Sequence, residues 1–263
     1  MSSNQYRFEG KRALVCGGSR GLGKAAAIEL ASLGCEVILL ARSEETLKQT
    51  LRELPGTGHH YITADLTKVE ILQTALSANA NLFAKPIEIL INNAGGPAAG
   101  EILNAELDAF KSAFETHLLC SHSLVQRLLP GMRAANYGRI INIISTSVKQ
   151  PIPGLGVSNT IRGAMASWSK TLSMEVARYG ITVNNILPGA TTTDRLTALI
   201  KNKAEKRSVS EALIESEMQL EIPMGRFGKP EEIAATIAFL ASPQASYITG
   251  VSIPVDGGRT SAL

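Results

Sequence analysis

Short apolar runs alternate with longer segments of helical periodicity along the whole chain. Several of these runs are apolar on both alternating faces, as the sequence of residues 140–144 shows. Strands of this kind belong in a parallel sheet that is covered by helices on both sides. The predicted strands lie at 12–16, 36–40, 59–63, 87–91, 139–144, 182–187 and 251–255.

The longer segments repeat apolar residues at helical spacing, and they fall between the predicted strands. They lie at 21–33, 44–53, 68–79, 107–134, 158–178 and 230–240. This alternation predicts βαβ units, and no repeat or flexible linker divides the chain. We therefore expect an α/β fold: one Rossmann-type, doubly wound domain over 1–263, with a seven-stranded, mostly parallel sheet and helices on both faces.

One segment, at about 190–223, is polar and helical in pattern but contains no strand. It follows Pro188 and Gly189 at the end of a predicted strand, and ligands of open α/β sheets bind beyond the carboxyl ends of strands. Its position predicts a helical substrate lid. The alternative is a surface excursion with no role in the site.

Charge and cysteine content exclude several classes of function. The 26 basic and 23 acidic residues leave a formal net charge of +3, with no basic patch typical of nucleic-acid binding. Cys16, Cys35 and Cys120 are far apart, which predicts buried free thiols and no metal site. The start of the chain lacks a signal-peptide pattern, and no apolar run reaches the roughly 20 residues of a membrane span. We expect a cytoplasmic protein.

A glycine-rich turn follows the first predicted strand and opens the first predicted helix. Gly17 permits a tight turn, and Gly23 permits close approach of the helix to the sheet. The backbone N–H groups at the start of this helix, together with its dipole, attract a diphosphate. The spacing of Gly17, Gly21 and Gly23 departs from the common Gly-x-Gly-x-x-Gly pattern.

This Gly-x-x-x-Gly-x-Gly pattern, with Asn-Asn-Ala-Gly at 92–95 and Ser145 at a strand end, resembles the short-chain dehydrogenase/reductase superfamily. The resemblance continues through Pro188, Gly189 and Thr193 to the segments 228–233 and 255–258, and so covers nearly the whole chain. It is strongest toward the bacterial 3-oxoacyl-[acyl-carrier-protein] reductases. Membership of this superfamily implies a nicotinamide cofactor and a homodimer or homotetramer.

The resemblance assigns cofactor contacts residue by residue. The residues implied at the phosphates are Gly17, Ser19, Arg20, Gly21 and Leu22. The residues implied around the adenine are Asp65 and its neighbour Leu66. The residues implied around the adenosine ribose are Asn92, Ala94 and Gly95. Those implied at the nicotinamide are Ile186, Pro188, Gly189, Thr191, Thr192 and Thr193.

The residues after the second predicted strand indicate which coenzyme is preferred. A site that prefers NAD presents a carboxylate to the adenosine 2′-hydroxyl at this point, and here the strand leads to Arg42 instead. Arg42 and Arg20 can both face a 2′-phosphate, which guanidinium groups bind by charge-assisted hydrogen bonds. We therefore favour NADP(H), and the alternative is that Arg42 is a solvated residue at a helix start.

The catalytic residues that the resemblance implies are largely replaced. Members of the superfamily use Asn, Ser, Tyr and Lys, where Tyr exchanges a proton with the substrate oxygen and Lys lowers the Tyr pKa and binds ribose. Two anchors, 142–145 and 170–172, fix the alignment without a gap. Ser158 then takes the Tyr position, Arg162 the Lys position and His117 the Asn position, so that only Ser145 is retained.

These replacements change the chemistry that the site can perform. The hydroxyl of Ser158 is far less acidic than a phenol, and it cannot replace tyrosine as a ready proton donor. Arg162 keeps a positive charge that can bind ribose or stabilise an oxyanion. His117 has two open interpretations: a proton relay near the cofactor, or a satisfied core histidine.

The leading hypothesis is an NADP(H)-dependent oxidoreductase with a non-standard proton route. It transfers hydride to or from a carbonyl or alcohol, of 3-oxoacyl type or another small ketone, or to an activated double bond. The alternative is a catalytically degenerate cofactor-binding scaffold or regulatory subunit, because fold alone does not determine function.

Overall fold

The computed structural model describes residues 7–262 and contains one seven-stranded sheet. The strands are β1 (Arg12–Cys16), β2 (Glu36–Ala41), β3 (His60–Thr63), β4 (Ile89–Asn92), β5 (Gly138–Ile143), β6 (Ile181–Pro188) and β7 (Ser252–Val255). Their order is β3-β2-β1-β4-β5-β6-β7, and every neighbouring pair is parallel. The predicted fold is confirmed, and the chain order reverses between β1 and β4, where such sheets bind ligands.

Nine α-helices are present in the described part of the chain. They are α1 (Gly21–Ser32), α2 (Glu44–Glu53), α3 (Val69–Ala78), α4 (Leu107–Phe114), α5 (Cys120–Ala134), α6 (Gly156–Val176), α7 (Asp194–Arg207), α8 (Glu211–Leu220) and α9 (Pro230–Ala241). No described helix has the length and apolar character that crossing a membrane requires. The amino-terminal segment, where the sequence lacks a signal-peptide pattern, lies outside the described residues.

The hydrophobic core lies on both faces of the sheet, which explains why the strands are apolar at every position. Val15 and Leu39 point into one layer, which includes residues of α1 and α9. Leu14 and Leu40 point into the opposite layer, which includes residues of α3 and α5. All four are fully buried, and each such side chain contributes about 1.5–3 kcal/mol to stability.

The helix predicted over 107–134 is interrupted in the structure. A π-helical turn at Glu115–Leu119 separates α4 from α5. His117, within this π turn, is buried, whereas Phe114, directly before the turn, is 39% exposed. Turns of this kind often occur at functional sites. Apolar periodicity alone does not predict one, because the residues on either side keep helical spacing.

The segment 190–223 is helical, as predicted, and contains α7 and α8. These two helices have a small apolar core of their own, made by Leu196, Ile200, Ala204, Ile214, Met218, Ile222 and Phe227. Ser210 caps α8 by accepting a hydrogen bond of 3.2 Å from the Leu213 backbone N–H. The segment is therefore a defined unit beside the carboxyl ends of the strands, and its role as a substrate lid remains a prediction.

Candidate active site

The turn between β1 and α1 requires glycine at several positions. Gly17 and Gly21 have φ angles of +60° and +50°, in the left-handed region that favours glycine. A Cβ on Gly23 would lie 2.2 Å from the Gly17 carbonyl oxygen and 2.7 Å from Nδ2 of Asn93. The first turn of α1 therefore packs directly on the loop, and no side chain fits between them.

The start of α1 has the properties of an anion site. Its N-cap residue, Arg20, makes no side-chain cap, and the first turn contains no acidic residue. The unpaired N–H groups and the positive end of the helix dipole favour a phosphate here. The cradle suits the diphosphate of a nicotinamide cofactor. The roles predicted at the phosphates for Gly17, Ser19, Arg20, Gly21 and Leu22 remain predictions.

Two side chains hold this turn in place. Asn93 Nδ2 donates to the Cys16 carbonyl at 3.3 Å, and Thr50 Oγ1 donates to the Ser19 carbonyl at 3.3 Å. The sequence analysis did not assign a role to Asn93, although it is the second residue of the Asn-Asn pair. Its side chain points back to β1, whereas the side chain of Asn92 is buried toward β5.

The predicted coenzyme-selective arginines lie at the exposed edge of this cleft. Arg20 and Arg42 are both exposed, and neither forms an ion pair or side-chain hydrogen bond with the residues that the structure describes. The Gly18 N–H donates to the Leu40 carbonyl at 3.4 Å, which brings the turn beside the end of β2. Both guanidinium groups are therefore available to a ligand.

The loop after β3 carries the residues predicted near the adenine. Asp65 Oδ1 accepts a hydrogen bond of 2.9 Å from the Thr67 N–H, which shapes the loop. The Leu66 carbonyl accepts one from Cys120 Sγ at 3.0 Å. Burial raises the pKa of the Cys120 and Cys16 thiols to about 12, so both remain protonated and unreactive.

The residues predicted at the nicotinamide lie beside the turn predicted at the phosphates. Thr191 Oγ1 donates to the Gly189 carbonyl at 3.1 Å, and Thr193 Oγ1 donates to the Thr191 carbonyl at 3.2 Å. The Thr193 methyl group lies 3.5 Å from where a Cβ on Gly21 would be. The start of the segment 190–223 therefore lies next to the glycine turn. Gly95 borders open space, since nothing lies within 4 Å of where its Cβ would be.

The four predicted catalytic residues lie on elements that contact one another. Ser145 follows β5 and accepts a hydrogen bond of 3.1 Å from the Ser147 N–H. Ser158 and Arg162 lie one turn apart in α6 and are both buried. Helix α6 packs against the turn after Ser145 and against the π turn that carries His117.

A small cavity lies beside this group, between β4, β5, α5 and α6. His117, Arg162, Asn92 and Asn142 are among its lining residues, whereas Ser145 and Ser158 are not. It leaves about 10 Å³ for the centre of a water-sized molecule. A cavity of this size with several polar partners suits a single water.

Two polar atoms facing this cavity are complementary. The Arg162 Nε–H donor and the Asn92 Oδ1 acceptor are both buried, and neither has a partner among the described residues. Buried groups of this kind are normally satisfied by protein or by water. A water molecule in the cavity that accepts from Arg162 and donates to Asn92 would satisfy both.

Arg162 carries a buried charge that no carboxylate offsets. Its Nη1 donates to the Ile143 carbonyl at 3.1 Å. Burial, and secondly repulsion by Arg195, lowers the Arg162 pKa to about 10, so the side chain is still charged at neutral pH. Burying a charge without a carboxylate partner costs several kcal/mol, which makes Arg162 a candidate for binding or chemistry.

His117 is neutral at physiological pH. Burial, followed by repulsion from Arg162 and Arg195, lowers its pKa from 6.5 to about 3, against the opposing effect of a hydrogen bond with the Gly95 backbone. The imidazolium form is therefore not the proton donor at pH 7. The neutral ring lines the cavity, where it can form hydrogen bonds with a water molecule. The proton-relay hypothesis therefore remains a prediction, and in it the neutral imidazole passes a proton to or from water.

The depressed pKa of His117 predicts a loss of stability in acid. The unfolded chain binds a proton at pH values where the native ring does not, so stability present above pH 6.5 is lost as the pH falls toward 3. At pH 5 the loss from this residue is about 2 kcal/mol. Urea unfolding at pH 7.5 and pH 5 should show that His117→Asn removes this loss and that His60→Asn, at an exposed position, keeps it. An unchanged pH dependence in His117→Asn would contradict the prediction.

A buried polar network supports the strand ends below the site. Asn142 Oδ1 accepts from Asn92 Nδ2 at 2.8 Å, and Asn142 Nδ2 donates to Ser169 Oγ at 2.7 Å and to Asn185 Oδ1 at 3.0 Å. The network joins β4, β5, β6 and α6. The sequence analysis assigned no role to Asn142 or Asn185, although a polar residue inside an apolar strand was a visible signal.

Arg195 is a further residue that the sequence analysis missed. It lies in the first turn of α7, and its guanidinium reaches across to Gly96. Nη2 and Nη1 lie 2.7 and 2.9 Å from where a Cβ on Gly96 would be. Thus the segment 190–223 places a positive charge beside Gly96, close enough to Arg162 and His117 to lower the pKa of both.

Comparisons with known proteins show the family to which the chain belongs. Residues 17–260 match the family model described as enoyl-(acyl carrier protein) reductase. The chain is 35% identical over 251 residues to the 3-oxoacyl-[acyl-carrier-protein] reductase of Vibrio cholerae, covering 95% of this chain and 98% of the relative. It is 31% identical over 261 residues to the NADPH-dependent reductase BacG of Bacillus subtilis, covering 96% and 99%.

Solved structures show the same architecture. The L-sorbose reductase of Gluconobacter frateurii, in complex with NADPH and L-sorbose, superposes with a TM-score of 0.92 at 30% identity. The match covers 98% of this chain and 99% of that one.

Proposed function

The chain belongs to the short-chain dehydrogenase/reductase family, and from this membership we propose that it transfers hydride between NADP(H) and a small organic substrate. The substrate is a carbonyl or alcohol, of 3-oxoacyl type or another small ketone, or an activated double bond. The observation that carries the proposal is the fit of the glycine turn to a diphosphate, with Gly23 packed on Gly17. The names of relatives as NADPH-dependent reductases support it.

We propose NADP(H) rather than NAD(H) because two unpaired arginines border the adenosine end of the cleft. Arg42 follows β2 directly, where a carboxylate would repel a 2′-phosphate. Arg20 lies at the start of α1 and is equally exposed. Two guanidinium groups with no protein partner suit a dianionic phosphate.

Arg42→Ala should therefore weaken NADPH binding and leave NADH binding unchanged. A charge-assisted hydrogen bond to phosphate is worth about 1.5–3 kcal/mol, so we expect the NADPH Kd to rise at least about tenfold. Titration of coenzyme fluorescence measures both constants, and Arg52→Ala, at an exposed position of α2, is the matched control. An equal effect on both coenzymes would show that Arg42 does not select between them.

In the proposed mechanism the cofactor, when bound, supplies or accepts the hydride. The chain's own residues bind the substrate oxygen, stabilise the negative charge on it and provide a route for the proton. The hydroxyls of Ser145 and Ser158 hold the substrate oxygen. The Arg162 guanidinium stabilises the negative charge that develops on this oxygen, as preorganised donors do in other enzymes. Arg162 does not give up its proton near neutral pH.

The proton reaches the substrate by a route that differs from the tyrosine of the superfamily. We propose that a water held between Arg162 Nε and Asn92 Oδ1 exchanges protons with the site, with neutral His117 beside it. Reduction of a ketone requires this proton on oxygen. Hydride addition to an activated double bond gives an enolate, which a guanidinium stabilises and which then takes a proton from water on its α-carbon, so this substrate class needs no proton transfer to oxygen.

A steady-state screen tests the proposal. NADPH oxidation is followed with 3-oxoacyl thioesters, small ketones, quinones and α,β-unsaturated carbonyl compounds. We expect turnover with at least one class and its loss in Ser145→Ala. No turnover above background across the panel would favour the alternative function, a cofactor-binding scaffold or regulatory subunit, which the replacement of both Tyr and Lys supports.

We also propose that the protein forms a homodimer or homotetramer through the helices between 107 and 176. Several large apolar side chains on these helices remain exposed in the single chain: Leu107, Phe114, Leu119 and Met174. Large apolar side chains that are exposed in a single chain are candidates for burial in an interface between subunits.

A further inference from the structure

The lid carries a guanidinium that has no protein partner. Arg195 is exposed, and it forms no ion pair or side-chain hydrogen bond within residues 7–262. The guanidinium lies against Gly96, where a Cβ would displace it. Gly96 follows the segment after β4 that is predicted to border the cofactor.

A second guanidinium without a carboxylate partner, that of Arg162, lies close enough to be affected by the charge of Arg195. Arg162 is 6% exposed, and its Nε–H has no partner among the described residues. The two charges repel each other, as the lowered pKa of Arg162 shows, and no carboxylate of the described chain pairs with either. An anion bound by Arg195 would offset this repulsion and give the Arg195 guanidinium the partner that it lacks in the described chain.

We propose that Arg195 binds the carboxylate of the substrate, close to the charge of Arg162, which makes the natural substrate an oxo acid or an unsaturated acid. This inference rests on the proposed hydride transfer and names its substrate class. The planar guanidinium matches a carboxylate with two parallel hydrogen bonds. Because Arg195 belongs to α7, the bound carboxylate ties the lid to the body of the protein.

A second source of anionic charge lies close by. Thr193, two residues before Arg195, contacts the glycine turn that is proposed to hold the cofactor diphosphate. If the Arg195 guanidinium were directed toward this glycine turn, it would bind the cofactor diphosphate and not the substrate. Binding experiments with cofactor alone and with substrate-like ligands separate the two sources.

The test measures binding to the complex with NADP⁺, in which a ketone cannot be reduced. Calorimetry compares 3-oxohexanoate with its uncharged methyl ester for the wild type, Arg195→Gln and Arg195→Lys. Lys201→Gln, at an exposed position of the same helix, is the matched control. We expect the wild type to prefer the acid about 10- to 100-fold, Arg195→Gln to lose this preference and Arg195→Lys to keep part of it.

The other outcomes are equally specific. A wild type without preference for the acid, or an Arg195→Gln protein that keeps it, overturns the inference while leaving the proposed function intact. A tenfold weaker NADP⁺ affinity in Arg195→Gln with an unchanged acid preference assigns Arg195 to the cofactor and also overturns it. Absence of NADP⁺ binding by the wild type overturns the proposed function and the inference together.

Discussion

Replacing Gly23 by alanine should abolish useful binding of the nicotinamide cofactor while the protein still folds. The added Cβ would lie 2.2 Å from the Gly17 carbonyl oxygen and 2.7 Å from Asn93 Nδ2. The carbonyl belongs to the backbone of the phosphate cradle, so relief of the clash must move the cradle or the start of α1. We expect the NADPH Kd to rise at least about 100-fold, which corresponds to about 2.7 kcal/mol.

The control for this substitution is another helical glycine. A Cβ on Gly163, in α6, meets nothing within 4 Å, so Gly163→Ala should leave NADPH binding unchanged. It should stabilise the helix by up to about 1 kcal/mol. Calorimetric titration gives the affinities, and circular dichroism shows that the variants are folded. A folded Gly23→Ala protein with nearly wild-type affinity would place the cofactor elsewhere.

Replacing Arg162 by methionine should remove catalysis without destabilising the fold. Loss of one donor that stabilises an oxyanion lowers kcat by about 100- to 1,000-fold. Because Arg162 is buried with one unpaired donor and no carboxylate partner, an apolar side chain of similar length should leave stability unchanged or raised. Single-turnover kinetics and urea unfolding measure the two effects.

Arg139 provides the contrasting case. It is equally buried, but its guanidinium donates to the carbonyls of Gly138, Gly180 and Ser242. Arg139→Met should therefore lose several kcal/mol of stability, since it leaves these carbonyls without their donor. Arg162→Lys, which keeps a positive charge, should retain more activity than Arg162→Met. Wild-type turnover in Arg162→Met would exclude a role for this charge in catalysis.

Much of the fold could be predicted because strands covered on both sides are apolar at every position. The sheet, its parallel character and the helical segment 190–223 followed from that pattern and from the Pro188-Gly189 strand end. The π turn at Glu115–Leu119 could not be predicted. It depends on packing against α6 and not on a change in composition.

The candidate site was predictable where a residue's role depends on its local sequence. The glycine turn is an example, because a Cβ on Gly23 would clash with Gly17 of the same short segment and with Asn93. Arg195 was not predictable in this way, because its place over Gly96 depends on how the lid folds back on the sheet. The unpaired atoms of Arg162 and Asn92 likewise become complementary only when β4 and α6 are packed together.

The most direct test of hydride transfer follows the atom itself. NADPH carrying deuterium at the transferable position of nicotinamide C4 is incubated with the protein and each substrate class, and the products are analysed by mass spectrometry and NMR. We predict one deuterium on carbon in the product of at least one class, and none with the folded Ser145→Ala variant. Tight NADPH binding without deuterium in any product would contradict hydride transfer and leave a cofactor-binding scaffold.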